Sequence, residues 1–282
     1  MRVRWLGTAG HVIETATATL LIDPFVTRPS LLSTATKRLV PDEDAIGRHV
    51  PNRVDAVICG HSHYDHLLDA PRIAVRTGAK IIGSASTCSF ARAAGVAEDK
   101  LVAIAPEGGV AVVGNVEIRF VPSKHGRIAF GRVPFPGEVP VPPQLPARLH
   151  HYKMGGAYGI LVKDRTSGVS IYHNGSADLV DVALDGLSAD VLLVGLAGRQ
   201  GTKDYVERLV RLLAPSVVVP THHDAFFAPL ERGVHLLPRI DLEGFFDQVR
   251  ILTPNATRIA PDYGEELVVP AADSRGAFLQ RA

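Results

Sequence analysis

Long apolar runs are missing from this 282-residue chain: nowhere do 18 consecutive apolar residues occur, so the sequence offers no membrane-spanning helix. The N-terminus, Met1-Arg2-Val3-Arg4-Trp5-Leu6-Gly7, is interrupted by Gly7 and Gly10 before a signal-peptide core can form, which predicts a soluble, unexported protein. Cysteine is scarce. Only Cys59 and Cys88 are present, both among apolar or small neighbours, which disfavours a disulfide framework and predicts reduced core thiols in the cytoplasm. Nor is there an excess of either charge. Thirty basic against 29 acidic residues leave a net +1, which argues against nucleic acid and anionic membrane as partners. A small-molecule substrate is the expected partner, and self-association stays open. Apolar residues, by contrast, make up 46% of the chain against 21% charged, enough to bury a large core.

Short β-branched runs bounded by Gly, Pro, Asn or Asp recur at 12–13, 19–22, 54–59, 80–83, 101–105, 110–113 and 116–121, and read as strands. Residues 111–113 and 117–120 flank Gly114-Asn115 and predict a tight hairpin, because Gly and Asn accept the positive φ of primed turns. A second hairpin is expected to join 158–163 to 169–172. Helical patterns fall between strands at about 65–76, 86–94, 202–213 and 242–249; in the third, apolar residues at three- and four-residue spacing form one stripe. Strands that arrive first as hairpins and then alternate with helices imply an α/β fold. No composition shift marks a linker, so 1–282 reads as one domain. The segment 133–146 holds Pro134, Pro136, Pro140, Pro142, Pro143 and Pro146, too many for helix or central strand, and predicts a stiff surface loop or lid.

Chemistry concentrates after the apolar run Val54-Asp55-Ala56-Val57-Ile58-Cys59-Gly60, which leads directly into His61-Ser62-His63-Tyr64-Asp65-His66. The cluster stands where a strand turns into a helix, a position at which α/β proteins hold ligands. Its imidazoles and carboxylate suit Zn²⁺, with Mn²⁺ or Fe²⁺ as alternatives. His61 and His63, two apart on a loop, can face one ion, while Asp65 and His66 point elsewhere and can hold a second. Solvated loop histidines, or a helix cap by Asp65, would each be unremarkable alone; four such groups at one strand mouth favour metal.

His-Ser-His-Tyr-Asp-His matches the H-x-H-x-D-H motif, and the chain resembles the metallo-β-lactamase superfamily. Trp5-Leu6-Gly7-Thr8-Ala9-Gly10 and Leu20-Leu21-Ile22-Asp23-Pro24 are similar to its N-terminal hairpin and Asp-Pro turn, especially in the branch of L-ascorbate-6-phosphate lactonase. Pro122-Ser123-Lys124-His125-Gly126 and Pro220-Thr221-His222-His223-Asp224 match the positions of two later histidines. The resemblance implies a four-layer αβ/βα sandwich with metal between the edges of two sheets. It implies His61, His63 and His125 at metal one, Asp65, His66 and His222 at metal two, and metal-activated water as nucleophile, oriented by Asp65. Family members usually place a bridging aspartate in a Tyr-His-x-Gly-Asp setting. Here Tyr172-His173-Asn174-Gly175-Ser176-Ala177-Asp178 puts Ser176 there, and Asp178 is the carboxylate expected to reach back if the turn is remodelled.

The expected activity is metal-dependent hydrolysis of a small lactone, ester or amide. Pro134, Phe135 and Val139 in the lid hint at a partly apolar substrate. A phosphodiesterase of the same fold, or a regulatory module that binds metal with little catalysis, are the alternatives; the missing Gly-Asp motivates the second. His150 and His151 read as surface loop or substrate contact. His173 reads as a group behind the ligands or facing substrate, His223 and Asp224 as partners of His222 or plain strand-end polar residues, and His11, His49 and His235 as uninvolved.

Overall fold

The computed structural model describes residues 1–128, 131–271 and the backbone of 280–281; the rest of the expected 1–282 domain lies outside the described residues. β1 (Arg2–Gly7), β2 (Gly10–Glu14) and β3 (Thr19–Ile22) form an antiparallel meander, and β4 (Ala56–Ile58), β5 (Lys80–Ser84) and β6 (Leu101–Ile104) extend it in parallel. The second sheet repeats that plan: antiparallel β7 (Gly109–Val113), β8 (Val116–Pro122), β9 (Tyr158–Asp164) and β10 (Ser170–Asn174), then parallel β11 (Val191–Gly195), β12 (Val217–Thr221) and β13 (Thr257–Arg258). β14 (Glu266–Val268) and β15 (Gln280–Arg281) return to pair beside β1. Both mixed sheets are flanked by helices, the α/β sandwich expected from the sequence.

Period-two alternation explains the layering, since neighbouring strand residues face opposite sides of a sheet. Leu20 and Ile22 of β3 enter a core between the sheets, where Val191 and Leu193 of β11 also point. Leu21 faces the outer core under α2 (Glu43–His49), α3 (Tyr64–Leu67), α4 (Ala70–Thr77) and α5 (Ala85–Ala93), a layer that follows the short α1 (Leu31–Thr36). On the far side, Leu192 and Val194 meet α6 (Asp181–Leu184), α7 (Tyr205–Leu213) and α8 (Leu242–Leu252). The stripe of α7 buries Val206, Leu209, Val210 and Leu213 there. Among the described residues no helix is long and apolar enough to cross a membrane.

Two expected elements change shape. The helix expected over 65–76 is two helices, α3 and α4, because Pro71 lacks an N–H and fits only the first turn of α4. Asp69, between them, turns inward and accepts hydrogen bonds from the backbone of Val26 (2.6 Å) and Thr27 (2.9 Å) and from the Thr27 hydroxyl. The strand expected over 54–59 is hydrogen-bonded as β4 only from Ala56 to Ile58. The Gly114-Asn115 hairpin has the expected register, with Val113 opposite Val116. Segment 133–146 has neither helix nor strand, and Val139 and Leu145 pack its stiff path against the outer core.

Within the first sheet β3 and β4 run in one direction, and within the second β8, β10, β11 and β12 do. The chain carries Asp23, His61, His125 and His222 just past the C-terminal ends of β3, β4, β8 and β12, where backbone amides are freed from the ladders.

Candidate metal centre

The loop after β4 is held by backbone as much as by side chains. Gly60 N donates to Asp23 Oδ1 at 2.7 Å, Tyr158 N donates to the Gly60 carbonyl at 2.9 Å, and Ser62 N donates to the Met154 carbonyl at 2.9 Å. Ser62 is fully buried and its hydroxyl donates to Lys153 O at 2.6 Å. A loop so pinned projects His61, His63, Asp65 and His66 inward. His125 arrives from the end of β8. His222, past β12, takes a left-handed φ of 50° and donates its N–H to Thr8 O at 2.6 Å.

Six of the side chains expected from sequence come together as two triads. His61, His63 and His125 offer one ligand atom each within 4.8 Å of one another, and so do Asp65, His66 and His222. A third group, Asp23 with His61 and His66, overlaps both. Both oxygens of Asp23 are already used, one by Gly60 N and one by His66 Nδ1 at 2.8 Å. Asp23 therefore fixes the ring of His66 with Nε2 turned toward Asp65, whose Oδ2 stands 3.6 Å away. A carboxylate behind a ligating imidazole sets its tautomer and raises its basicity.

The other rings are sorted the same way. His63 Nε2 donates to Pro134 O at 2.9 Å, leaving Nδ1 for the centre, and His125 Nδ1 donates to Gly126 O at 2.8 Å, leaving Nε2. The buried nitrogen His61 Nε2 has no hydrogen-bond partner among the described residues. Unpartnered buried nitrogens are costly unless something binds them. Nitrogen and carboxylate donors in triads of this size suit a divalent ion, so the residues present fit the metal that the sequence implies.

Burial and the neighbouring imidazoles hold His61 well below the ordinary imidazole range; burial does the same for His63, at about 4, and lowers His125. Neutral imidazole is the ligating form. Burial alone would raise Asp65, but His66 and His222, whose Nε2 lies 3.2 Å from Asp65 Oδ2, hold it below the usual carboxylate range.

Behind the triads lie further histidines. His173 is fully buried, donates Nε2 to Ala9 O at 2.9 Å and packs edge-on to His11 at 5.5 Å, while His223 stacks on Trp5 at 4.6 Å. Burial takes His173 and His223 down to about 4. The unfolded chain binds these two protons below about pH 6.5, whereas the folded chain resists them until about 4. Stability of the metal-free protein is therefore expected to fall as pH drops across that window. For His66 burial lowers the pKa, but Asp23 and Asp65 outweigh it and raise it; its stabilisation is complete in acid and lost as pH rises through the raised value. Asp69, raised by burial to about 6, sides with His66, but burial lowers His11, His61, His63 and His125 along with His173 and His223, and the lowered histidines set the net sign. A urea midpoint that stays level or climbs between pH 6.5 and 4 would show the sign to be wrong.

Asp178 stands apart from the three groups. It joins none of the triads: its Oδ1 accepts the N–H of Leu179 at 2.8 Å, and its carbonyl accepts from Ser123 Oγ and Asn174 Nδ2. The turn is held by Gly126 N, which donates to the Ser176 carbonyl at 2.7 Å, and by Ala177, which pairs with His125 as an isolated bridge. Ser176 itself is buried, and its hydroxyl has no partner among the described residues.

A cavity of about 810 Å³ opens over the triads, lined by His63, Asp65, His125 and His222 on its floor. Pro134 and Phe135 of the proline-rich segment form part of its wall, with Leu149, Phe226, Leu237 and Ile240. His150 and His151 are exposed and stand outside that lining. Asp224 reaches neither imidazole nitrogen of His222; it accepts from Arg28, Tyr263 and Thr8 N. The contributions of Asp23, Arg28 and the 237–240 wall escaped the sequence reading. Only Asp23 carried a signal, its Asp-Pro step at a strand end.

Two mixed sheets back to back, with histidines and a carboxylate gathered at their strand ends, define a metallo-hydrolase-like α/β sandwich. A family model described as a beta-lactamase superfamily domain matches residues 2–222, and the chain belongs to the metallo-β-lactamase superfamily. A UPF0173 metal-dependent hydrolase of Methanopyrus kandleri is 29% identical over 262 residues, covering 90% of this chain and 97% of that protein. Another from Pelotomaculum thermopropionicum is 28% identical, covering 80% and 86%. Among solved structures, Igni18, a metallo hydrolase of Ignicoccus hospitalis, superposes with a TM-score of 0.63 at 20% identity, covering 94% of this chain and 96% of its own. Isothiocyanate hydrolase from Delia radicum gut bacteria superposes with a TM-score of 0.62 at 18% identity, covering 96% and 100%. At these identities the structural matches speak to fold.

Proposed function

We propose that this chain is a metal-dependent hydrolase of a small ester or lactone, with Zn²⁺ the preferred ion. The observation that carries the reading is the convergence of His61, His63, His125, Asp65, His66 and His222 in two triads, four of whose members, His63, Asp65, His125 and His222, line one cavity. His61, His63 and His125 would hold a first ion, and Asp65, His66 and His222 a second. Bound metal supplies Lewis acidity and an acidified water. Asp65, buried and held anionic, would help hold the second ion and would serve as the carboxylate that orients the water. Phe135, Leu149 and Phe226 keep bulk water from the acyl group. The names of the UPF0173 relatives and the resemblance to L-ascorbate-6-phosphate lactonase support hydrolysis of this kind. Cys59 and Cys88 are free and buried, which supports a reducing, cytoplasmic setting.

No carboxylate lies in both triads, and Ser176 offers only a hydroxyl, so the second ion is expected to bind more weakly than the first. Zn²⁺ titration of the metal-stripped protein should be biphasic, with turnover on a panel of esters, lactones and amides appearing only after metal is added. Asp178→Ala should keep the stoichiometry of the parent. Turnover that survives complete metal removal would overturn the reading, as would loss of one ion in the Asp178 variant.

A further inference from the structure

Two arginines line the cavity without a neutralising partner among the described residues. Arg127 and Arg239 both line it, and neither has an ion-pair or side-chain hydrogen-bond partner among the described residues. The one carboxylate in the described lining is Asp65, which is engaged by His66 and His222 on the floor. Above the floor the cavity is therefore cationic and apolar together, with Ile128, Leu237 and Ile240 beside the arginines.

One turn holds both arginines. At Gly201 an added Cβ would stand 2.1 Å from the Arg127 carbonyl oxygen, so the 127 backbone rests on that turn. Gln200 Nε2 donates to Arg239 O at 3.1 Å from the same turn, whose Ala197 N–H donates to the His222 carbonyl at 2.9 Å. The 235–240 segment is tied back as well: Leu237 N donates to His223 O at 2.9 Å, and Ala225 N donates to His235 O at 2.6 Å. Arg239 keeps a left-handed φ of 69°, a conformation a β-carbon disfavours and surrounding contacts must hold. Arg127 follows His125 by two residues. Each guanidinium is thus carried on backbone anchored within a few residues of a histidine of the centre, while its side chain stays exposed.

Guanidinium is a fixed, always-charged fork that matches an oxyanion, and beside apolar walls it selects ligands with one charged and one apolar part. We infer that Arg127 and Arg239 are specificity-determining residues that bind an anionic oxygen group, carboxylate in the simplest case, carried by the substrate away from the bond cleaved. The inference rests on the hydrolytic reading for its catalytic consequence, and on the cavity alone for binding.

A matched pair tests it: 4-acetoxybenzoate, anionic, against 4-acetoxybenzamide, neutral and of the same shape. The metal-loaded protein should favour the anionic ester in kcat/KM by about tenfold or more, and Arg127→Gln combined with Arg239→Gln should erase the preference through KM. No preference in the parent, or one retained in the double variant, overturns the assignment. Calorimetry with 4-hydroxybenzoate and 4-hydroxybenzamide is read in parallel. If neither ester is turned over, the ester reading is what has failed, and the titration decides the arginines by itself: tighter carboxylate binding that vanishes in the double variant supports them. Carboxylate binding that persists there belongs to the metal ions and overturns them. An unchanged melting temperature shows that the variant is folded.

Discussion

Asp224→Ala is expected to destabilise the fold by roughly 3–5 kcal/mol, the usual penalty for stripping one partner from a buried ion pair. Asp224 and Arg28 are almost wholly excluded from water, at 0% and 1% side-chain exposure, with Oδ2 and the guanidinium 2.6 Å apart. Tyr263 Oη donates to the same oxygen at 2.7 Å, and Thr8 N donates to Oδ1 at 2.9 Å. Alanine would leave a permanent cation, a hydroxyl and an amide without their acceptor at one stroke. Arg28 cannot escape by losing its proton. Gly7 packs against the pair: its φ is +80°, and an added Cβ would stand 1.7 Å from the Arg28 guanidinium, so only glycine fits there. Urea unfolding followed by fluorescence measures the loss. Removing both charges, Arg28→Met with Asp224→Leu, should recover much of it, since a matched apolar pair avoids the desolvation cost. If Asp224→Ala unfolds within about 1 kcal/mol of the parent, the ion pair does not hold the structure. The same substitution should weaken metal binding at the second triad, because the Thr8 carbonyl accepts from His222 N at 2.6 Å and Thr221 Oγ1 at 2.7 Å.

That strap was invisible in the sequence for a physical reason. Arg28 and Asp224 are 196 positions apart, and no local period couples them. What depends on neighbouring residues was legible: the Gly114-Asn115 hairpin, the apolar stripe of α7, and the apolar strand that delivers His61, His63, Asp65 and His66. The continuous apolar run of β11, Val191–Gly195, has the same character and lies at the centre of the second sheet, although it was not among the strands singled out. Pro71 could have divided α3 from α4 in advance, since proline tolerates only a helix's first turn. Asp178 lies close to the site along the chain but stands apart from the triads. Its side chain accepts the next residue's N–H, and the turn before it is clamped by Gly126 N on Ser176 O. Asp23 shows the converse. It is 43 residues from His66 and touches it, a contact set by the parallel pairing of β3 and β4.

His61→Ala is expected to give the largest functional loss, a fall in kcat/KM on the order of 10³-fold, beyond the roughly 10–100-fold that follows loss of an outer-shell partner. His61 belongs to the all-histidine triad and also to the group it forms with Asp23 and His66; its ring centroid lies 3.8 Å from that of His66 and 5.0 Å from that of His125. Removing it takes a ligand from the tighter ion and the packing partner of a ring serving the weaker one, so metal content should drop with activity. Asp23→Ala, which leaves every proposed ligand in place and releases only the His66 Nδ1 hydrogen bond and Gly60 N, should fall in the smaller range. The order of these two variants separates ligand from orienting partner. Stability gives an independent check with a different sign. In the metal-free protein, His61 Nε2 is buried without a partner among the described residues, and burial and then the surrounding imidazoles disfavour its charging, so removing its polar group should cost the unliganded fold little. The gain in melting temperature on adding Zn²⁺ should nevertheless shrink, because binding stabilises in proportion to affinity. A His61→Ala protein that retains full metal content and full turnover would place the reaction elsewhere in the molecule.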